Sequence, residues 1–112
     1  MNSECLFCKI TEGSIPVEMV AETESALAFR DINPQAPTHV LVIPRRHVES
    51  LNEVDDPEMM GELVRLSRMI ASREGLKNGW RWVTNVGVDG GQSVFHLHFH
   101  LLGGRRMNWP PG

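Results

Sequence analysis

The sequence lacks the features that mark secreted, membrane-spanning and nucleic-acid-binding proteins. Its start, Met1–Cys5, has no basic segment followed by a long apolar one, so we expect no secretory signal. No apolar run approaches the roughly 20 residues of a transmembrane helix. The formal net charge of −3 provides no general attraction for nucleic acid or anionic lipid. We therefore expect a cytoplasmic protein with neither a membrane nor a nucleic-acid partner.

Cysteine is scarce, and the sequence contains no repeat, low-complexity segment or interdomain linker. The two cysteines, Cys5 and Cys8, are close together, and in a reducing compartment such a pair indicates thiols or metal ligands before a structural disulfide. The length of 112 residues suits one hydrophobic core. We expect a single domain over residues 1–112, in which 104–112 form an extended tail.

The order of elements predicts an α+β fold with a mainly antiparallel sheet, because the connections are turn-rich and short. A short helix is expected over Cys5–Glu12. A long helix is expected to begin at Pro57, behind an aspartate N-cap, and to stop at Gly75. Its apolar face is expected to comprise Met60, Leu63, Val64, Ser67, Ile70 and Ala71. Strands are expected at Val17–Glu22, Ala26–Asp31, His39–Pro44, Trp80–Asn85 and Val94–Leu102.

Three histidines at alternate positions, His96, His98 and His100, are the feature most indicative of chemistry. In an extended strand, residues i, i+2 and i+4 share one face, so the three imidazoles project together. One zinc ion cannot hold all three, since i and i+4 are roughly 13 Å apart and Zn–N bonds are about 2.0–2.1 Å. The preceding Gly90–Ser93 offers N–H and hydroxyl donors to an anion. The pattern favours a phosphate site with an attacking imidazole, and a metal bound by two of the histidines is the alternative.

The stretch His96–Leu102 reads His-φ-His-φ-His-φ-φ, where φ is apolar, and resembles the signature of the histidine triad superfamily. Further segments are similar to its Hint branch of nucleotide-binding proteins: Phe29–Ile32, Gln35–His39, Leu41–Pro44, Gly90–Val94 and Leu102–Gly112. The resemblance covers nearly the whole chain. It implies a HIT-like fold, a homodimer, and cleavage of the P–N bond of purine nucleoside 5′-phosphoramidates through a nucleotidyl-histidine intermediate.

The resemblance also implies a role for individual residues. His98 matches the nucleophile that attacks the α-phosphorus, His100 a phosphate contact and His96 a supporting histidine. His39 matches a fourth member of the network, and Ser93 a hydroxyl near the bridging atom of the leaving group. The other positions implied to bind the nucleotide include Asp31 at the ribose and Asn85 and Gln92 at the phosphate. Gly91 and Val94 are implied to bind it as well, and the base pocket is implied to be lined by Phe7, Ile10, Phe29, Ile32 and Leu41. Without the resemblance, a strand-end cap for Asp31 and ordinary core packing for the apolar set would be expected.

A structural zinc site is implied on Cys5, Cys8, His47 and His96, a donor set suited to tetrahedral zinc. Two reduced thiols on a short helix are the alternative. We expect catalysis itself to require no cofactor.

Two other functions are compatible with the same residues. One is a dinucleoside polyphosphate hydrolase of the neighbouring Fhit branch, although the short chain and the ending Trp109–Gly112 favour the Hint branch. The other is a non-catalytic nucleotide sensor or scaffold, which would not need a full set of catalytic positions. In the homodimer that the resemblance implies, Trp109 would pack against the second copy.

Overall fold

The computed structural model describes residues 4–112, which form two helices, a short 3-10 turn and a five-stranded sheet. Helix α1 spans Leu6–Thr11 and helix α2 spans Pro57–Arg73. The strands are β1 (Met19–Glu22), β2 (Ala26–Arg30), β3 (Thr38–Pro44), β4 (Trp80–Val83) and β5 (Phe99–Gly103). Within this range no helix is both long enough and apolar enough to span a bilayer.

The strands pair in the order β1-β2-β3-β5-β4, and every pairing is antiparallel. The predicted α+β fold with an antiparallel sheet, one long helix and one short helix is therefore confirmed. Strand β3 lies at the centre and is buried along its whole length. Its register with β5 places Leu41 opposite His100 and His39 opposite Leu102. Histidines from two different parts of the chain thus meet on neighbouring strands.

The two faces of the sheet are covered by different helices, and the histidine segment contributes to both faces. Leu97, Phe99 and Leu101 are buried in the core between the sheet and α2. The intervening histidines lie on the opposite face, where Phe7 of α1 contacts the rings of His96 and His98 edge-on. The predicted alternation of imidazoles and apolar side chains is therefore present.

The predicted strand over Val94–Leu102 is wrong in its first half, because β5 begins only at Phe99. The backbone bends between Val94 and His96, and the N–H of Leu97 donates to the carbonyl of Val48, which lies in the loop after β3. His96 and His98 consequently precede the regular strand. The first part of this segment is held by a loop instead of a neighbouring strand.

The long helix begins at Pro57, where the Asp56 carboxylate accepts the N–H of Met59 as an N-cap, and Gly75 follows its end with a φ of +74°. Its predicted apolar face is partly wrong. Val64 is 41% exposed and Met60 is only half-buried, whereas Met59 and Leu66 are buried. The true face is rotated toward these two residues. The 3-10 turn at Leu51–Glu53 was not predicted from the sequence.

Candidate active site

The ring of His98 is fixed by one short hydrogen bond to the backbone. Its Nδ1 lies 2.7 Å from the carbonyl oxygen of His96, which can only accept, so Nδ1 carries the proton. The lone pair is therefore on Nε2. Phe7 packs edge-on against the ring with centroids 5.0 Å apart, and the Thr84 hydroxyl donates to the His98 carbonyl over 2.7 Å. His98 consequently has a defined tautomer and a nitrogen suited to nucleophilic attack.

His39 and His100 form a second hydrogen-bonded chain in which each proton can be assigned. The backbone N–H of Gln35 donates to Nδ1 of His39 over 3.0 Å, so the proton of a neutral His39 is on Nε2. That Nε2–H faces Nδ1 of His100 at 2.9 Å and a carboxylate oxygen of Asp31 at 3.4 Å. Because Nδ1 of His100 accepts, the proton of His100 is on Nε2. His98 and His100 thus present opposite groups, a lone pair and an N–H donor.

Burial keeps these rings neutral. It lowers the pKa of His98 and of His39, although the negative charge of Asp31 acts in the opposite direction on both. The pKa of His100 falls to about 4, first because of burial and then because protonated His98 and His39 would repel its charge. At neutral pH the site therefore holds uncharged imidazoles beside one carboxylate.

A cavity of about 310 Å³ lies between α1, the sheet and the segment before β5. Polar groups lie in its wall on Asp31, Ser93, His98 and His100. Its apolar wall includes the predicted Phe7, Ile10, Phe29, Leu41 and Val94, together with Ile32, which is 97% exposed at the rim. Such a cavity suits a flat apolar group attached to a polar or anionic one.

Asp31 lies between the apolar and imidazole parts of this wall. One of its oxygens accepts the N–H of Asn33 over 2.8 Å, and the other faces His39. Its side chain is 20% exposed, so the carboxylate retains lone pairs for a ligand.

Three predicted binding residues, Asn85, Gly91 and Gln92, lie outside this lining and together shape the loop before Ser93. Gly91 has a φ of +80°, and a Cβ there would lie 3.9 Å from the side-chain nitrogen of Asn85. A Cβ at Gly90 would collide with the backbone of Val86, so the tight turn requires glycine. The side chain of Gln92 is directed into the protein, where it bonds to backbone groups.

The sequence reasoning missed part of the cavity wall. Leu6, Ile15, Pro16, Val17 and Arg30 also line it. Ile15–Val17 follow the end of α1, and their apolar character next to the predicted pocket residue Ile10 was the signal available.

A second cluster, behind His98, consists of the side chains of Cys5, Cys8, His47 and His96, whose ligand atoms all lie within 4.8 Å of one another. The Sγ–Nδ1 separations are 3.3 Å for Cys5 and His96, 3.6 Å for Cys8 and His96, and 3.4 Å for Cys8 and His47. In a tetrahedral zinc site with Zn–S of about 2.3 Å and Zn–N of about 2.0–2.1 Å, such pairs are about 3.5 Å apart.

The tautomer of His96 fits a metal ligand. Its Nε2 donates to the carbonyl of Pro44 over 2.9 Å, so the lone pair of Nδ1 faces the two sulfurs. Burial lowers the pKa of His96 to about 4, although this hydrogen bond acts in the opposite direction. The low pKa keeps the ring unprotonated at neutral pH. The donors present therefore fit zinc.

Asp31, His39 and His100 also bring three ligand atoms within 4.8 Å of one another, but their protons do not fit a cation. The N–H of Gln35 occupies the lone pair on Nδ1 of His39, so Nε2 carries hydrogen and has no lone pair for a metal. This group is therefore a hydrogen-bonded chain.

Comparisons with known proteins give matches over nearly the whole chain. Residues 12–107 match the family model of the HIT domain. The chain is 49% identical to a 14 kDa zinc-binding protein of Zea mays, over 99% of this chain and 90% of that relative. It is similar to a HIT family hydrolase from Legionella pneumophila, with 51% identity and a TM-score of 0.94 over 96% of this chain and 99% of the other. A histidine triad protein from Clostridium difficile is 41% identical, with a TM-score of 0.92 over 96% of each chain.

The assigned protons can be observed directly by long-range nitrogen–hydrogen NMR of the imidazole rings. At pH 7 we expect His98 to carry its proton on Nδ1, whereas His39 and His100 carry theirs on Nε2. On acidification His100 should stay neutral until about pH 4. An unfolded chain protonates this group at about pH 6.5. The free energy of unfolding should therefore decrease as the pH falls from that value toward about 4, because only the unfolded state takes up the proton there. A His100 midpoint near 6.5, or the opposite tautomers, would contradict the assignment.

Proposed function

This chain belongs to the HIT domain family, and we propose that it hydrolyses the P–N bond of purine nucleoside 5′-phosphoramidates. The main support is the fixed tautomer of His98, which gives a nucleophilic Nε2 to a residue in the wall of the cavity. The apolar wall suits a purine, which stacks and packs well on aliphatic and aromatic side chains. The Asp31 carboxylate at its edge can accept from the two ribose hydroxyls. The Legionella relative described as a hydrolase supports hydrolysis as the reaction class.

The proposed reaction has two displacements at phosphorus. In the first, the lone pair on Nε2 of His98 forms an N–P bond, and the P–N bond of the substrate breaks. The departing nitrogen keeps that electron pair and takes a proton from solvent water, so an amine is released. In the second, water attacks phosphorus, displaces Nε2, which recovers its lone pair, and returns a proton to the solvent. The products are a nucleoside 5′-monophosphate and the amine.

Two neighbouring groups support these displacements. The Nε2–H of His100 is an available donor for a phosphate oxygen, on which negative charge grows in each transition state. The neighbouring His39 and the N–H of Gln35 keep that proton on Nε2. The hydroxyl of Ser93 lies in the same cavity wall and can hydrogen-bond the leaving nitrogen.

His98→Ala should reduce hydrolysis of an AMP-amine by at least about 10³-fold, because no other group replaces the nucleophile. Binding of AMP, measured by calorimetry, should change only a few-fold, since the base and ribose contacts remain. Hydrolysis by this variant at the rate of the unmodified protein would exclude the mechanism.

A comparison of substrates separates the proposed reaction from the Fhit-like one. Faster cleavage of a diadenosine polyphosphate than of the AMP-amine by the unmodified protein would favour the Fhit-like reaction.

We also propose that Cys5, Cys8, His47 and His96 hold a structural zinc ion, as the name of the maize relative suggests. Bound zinc would cross-link α1, the loop after β3 and the segment before β5. His96 would link this centre to the reaction, because its ring is a proposed ligand and its carbonyl orients His98. No step of the reaction uses the metal.

Purified protein should contain about one zinc per chain by elemental analysis, and Cys8→Ser should lose most of it. Chelation should lower the melting temperature of the unmodified protein, since a ligand that binds only the folded state stabilises it. The already metal-depleted Cys8→Ser protein is the matched control, and its melting temperature should not change with chelator. A metal-free protein with an unaltered melting temperature after zinc addition would exclude the site.

We further propose a homodimer. Strand β4 is at one edge of the sheet, so within the described part of the chain its outer N–H and C=O groups have no neighbouring strand. Trp109, on the tail, is 82% exposed, an unusual state for so large an apolar side chain. A second copy would cover both.

Sedimentation should therefore give a mass about twice the 12.6 kDa of the chain at micromolar concentration. Trp109→Ala should shift the equilibrium toward monomer, because a large apolar contact is lost. Glu24→Ala, in the exposed turn between β1 and β2 near the opposite edge of the sheet, is the surface control. A monomeric unmodified protein over the same concentration range would contradict the dimer.

A further inference from the structure

The side-chain amide of Gln92 forms all of its hydrogen bonds with backbone groups. Its Oε1 accepts the N–H of Gly87 over 2.9 Å, and its Nε2 donates to the carbonyls of Glu49 over 2.7 Å and Val94 over 3.1 Å. The residue is only 7% exposed. Because the one acceptor and both donor hydrogens are engaged, this amide has no donor left for a phosphate.

These bonds connect three segments of the chain. Gly87 begins the glycine-rich turn, Glu49 lies in the loop after β3, and Val94 follows Ser93. The backbone N–H of Gln92 also donates to the Gly87 carbonyl over 3.0 Å, which closes the turn upon itself. The amide therefore holds both ends of the turn against the loop at Glu49.

Ser93 is the residue that this arrangement orients. It lies between Gln92 and Val94, both of which are anchored by the same amide. Outside this anchor it is exposed and belongs to no helix or strand, so without the amide its hydroxyl would move with the turn. Its position relative to His98 thus depends on Gln92.

We propose that Gln92 is a positioning residue that sets the place of the Ser93 hydroxyl by anchoring the turn to the Glu49 backbone. This role rests on the proposed hydrolysis and specifies it: Gln92 controls leaving-group assistance and contributes no contact of its own. A defect at Gln92 should therefore matter most for substrates whose leaving nitrogen most needs a hydrogen bond, such as alkylamines, and least for arylamines.

A double-mutant cycle tests the dependence on Ser93. Gln92→Met preserves the length of the side chain but removes its three side-chain hydrogen bonds. With an AMP-alkylamine, Gln92→Met and Ser93→Ala should each lower kcat about tenfold, and the double variant should be little worse than either. With an AMP-arylamine the losses should be smaller. Losses that multiply, or equal losses for both leaving groups, would overturn the proposal.

Ser67→Ala is the matched control for destabilisation alone. Ser67 is buried on the other face of the sheet, where its hydroxyl accepts from Trp82 and donates to the Leu63 carbonyl. Its loss should lower the melting temperature while kcat and the response to Ser93→Ala stay unchanged. The same response to Ser93→Ala in Gln92→Met as in Ser67→Ala would assign Gln92 a purely structural role and overturn the proposal.

Amide hydrogen exchange in the unmodified protein tests the anchor without any turnover. The Gly87 amide should exchange slowly because Gln92 accepts its hydrogen, and Gln92→Glu should retain part of that protection because it keeps an acceptor. Rapid exchange at Gly87 in the unmodified protein would overturn the anchor even if hydrolysis is observed. Slow exchange with no hydrolysis of any phosphoramidate would support the anchor and refute the proposed reaction.

Discussion

The alternation of side chains between Leu97 and Leu101 is the constraint on which the active site depends. Leu97, Phe99 and Leu101 are almost completely buried under α2. A shift of the segment by one residue would turn all three side chains toward the opposite face of the sheet. The free energy of burying these side chains therefore also fixes which way the imidazoles point. The geometry of the proposed active site is in this sense fixed by the hydrophobic core, and the regular β-ladder is needed only from Phe99 onward.

The polar side of the segment is stable because its hydrogen bonds are complete. Within residues 4–112, every buried side-chain nitrogen and oxygen has a hydrogen-bond partner. The three imidazoles of the segment and that of His39 are neutral at neutral pH, so the fold buries no charge on any of these rings. Each ring has a backbone partner or another ring that selects its tautomer. The chemical difference between His98 and His100 arises from those partners, since the residue type is the same.

Much of this organisation was predictable from the sequence, because period-two alternation and helix-capping residues act locally. The antiparallel sheet, both helices and the common face of the histidines followed from such patterns. The bend before Phe99, the rotated face of α2 and the inward amide of Gln92 did not, since each depends on a distant partner such as Val48 or Glu49. The roles of Asp31 and the base-pocket residues came from family resemblance, because a cap or a core position has the same local signature.

If Nε2 of His98 is the atom that forms the bond to phosphorus, that nitrogen carries AMP during turnover. Rapid acid-free quenching during turnover of an AMP-amine, followed by peptide mapping in a mass spectrometer, identifies the modified residue. Nitrogen NMR of the trapped adduct identifies the ring nitrogen. We expect AMP on His98, attached through Nε2, because the Nδ1–H is hydrogen-bonded to the His96 carbonyl. AMP on His100 or attachment through Nδ1 would contradict it.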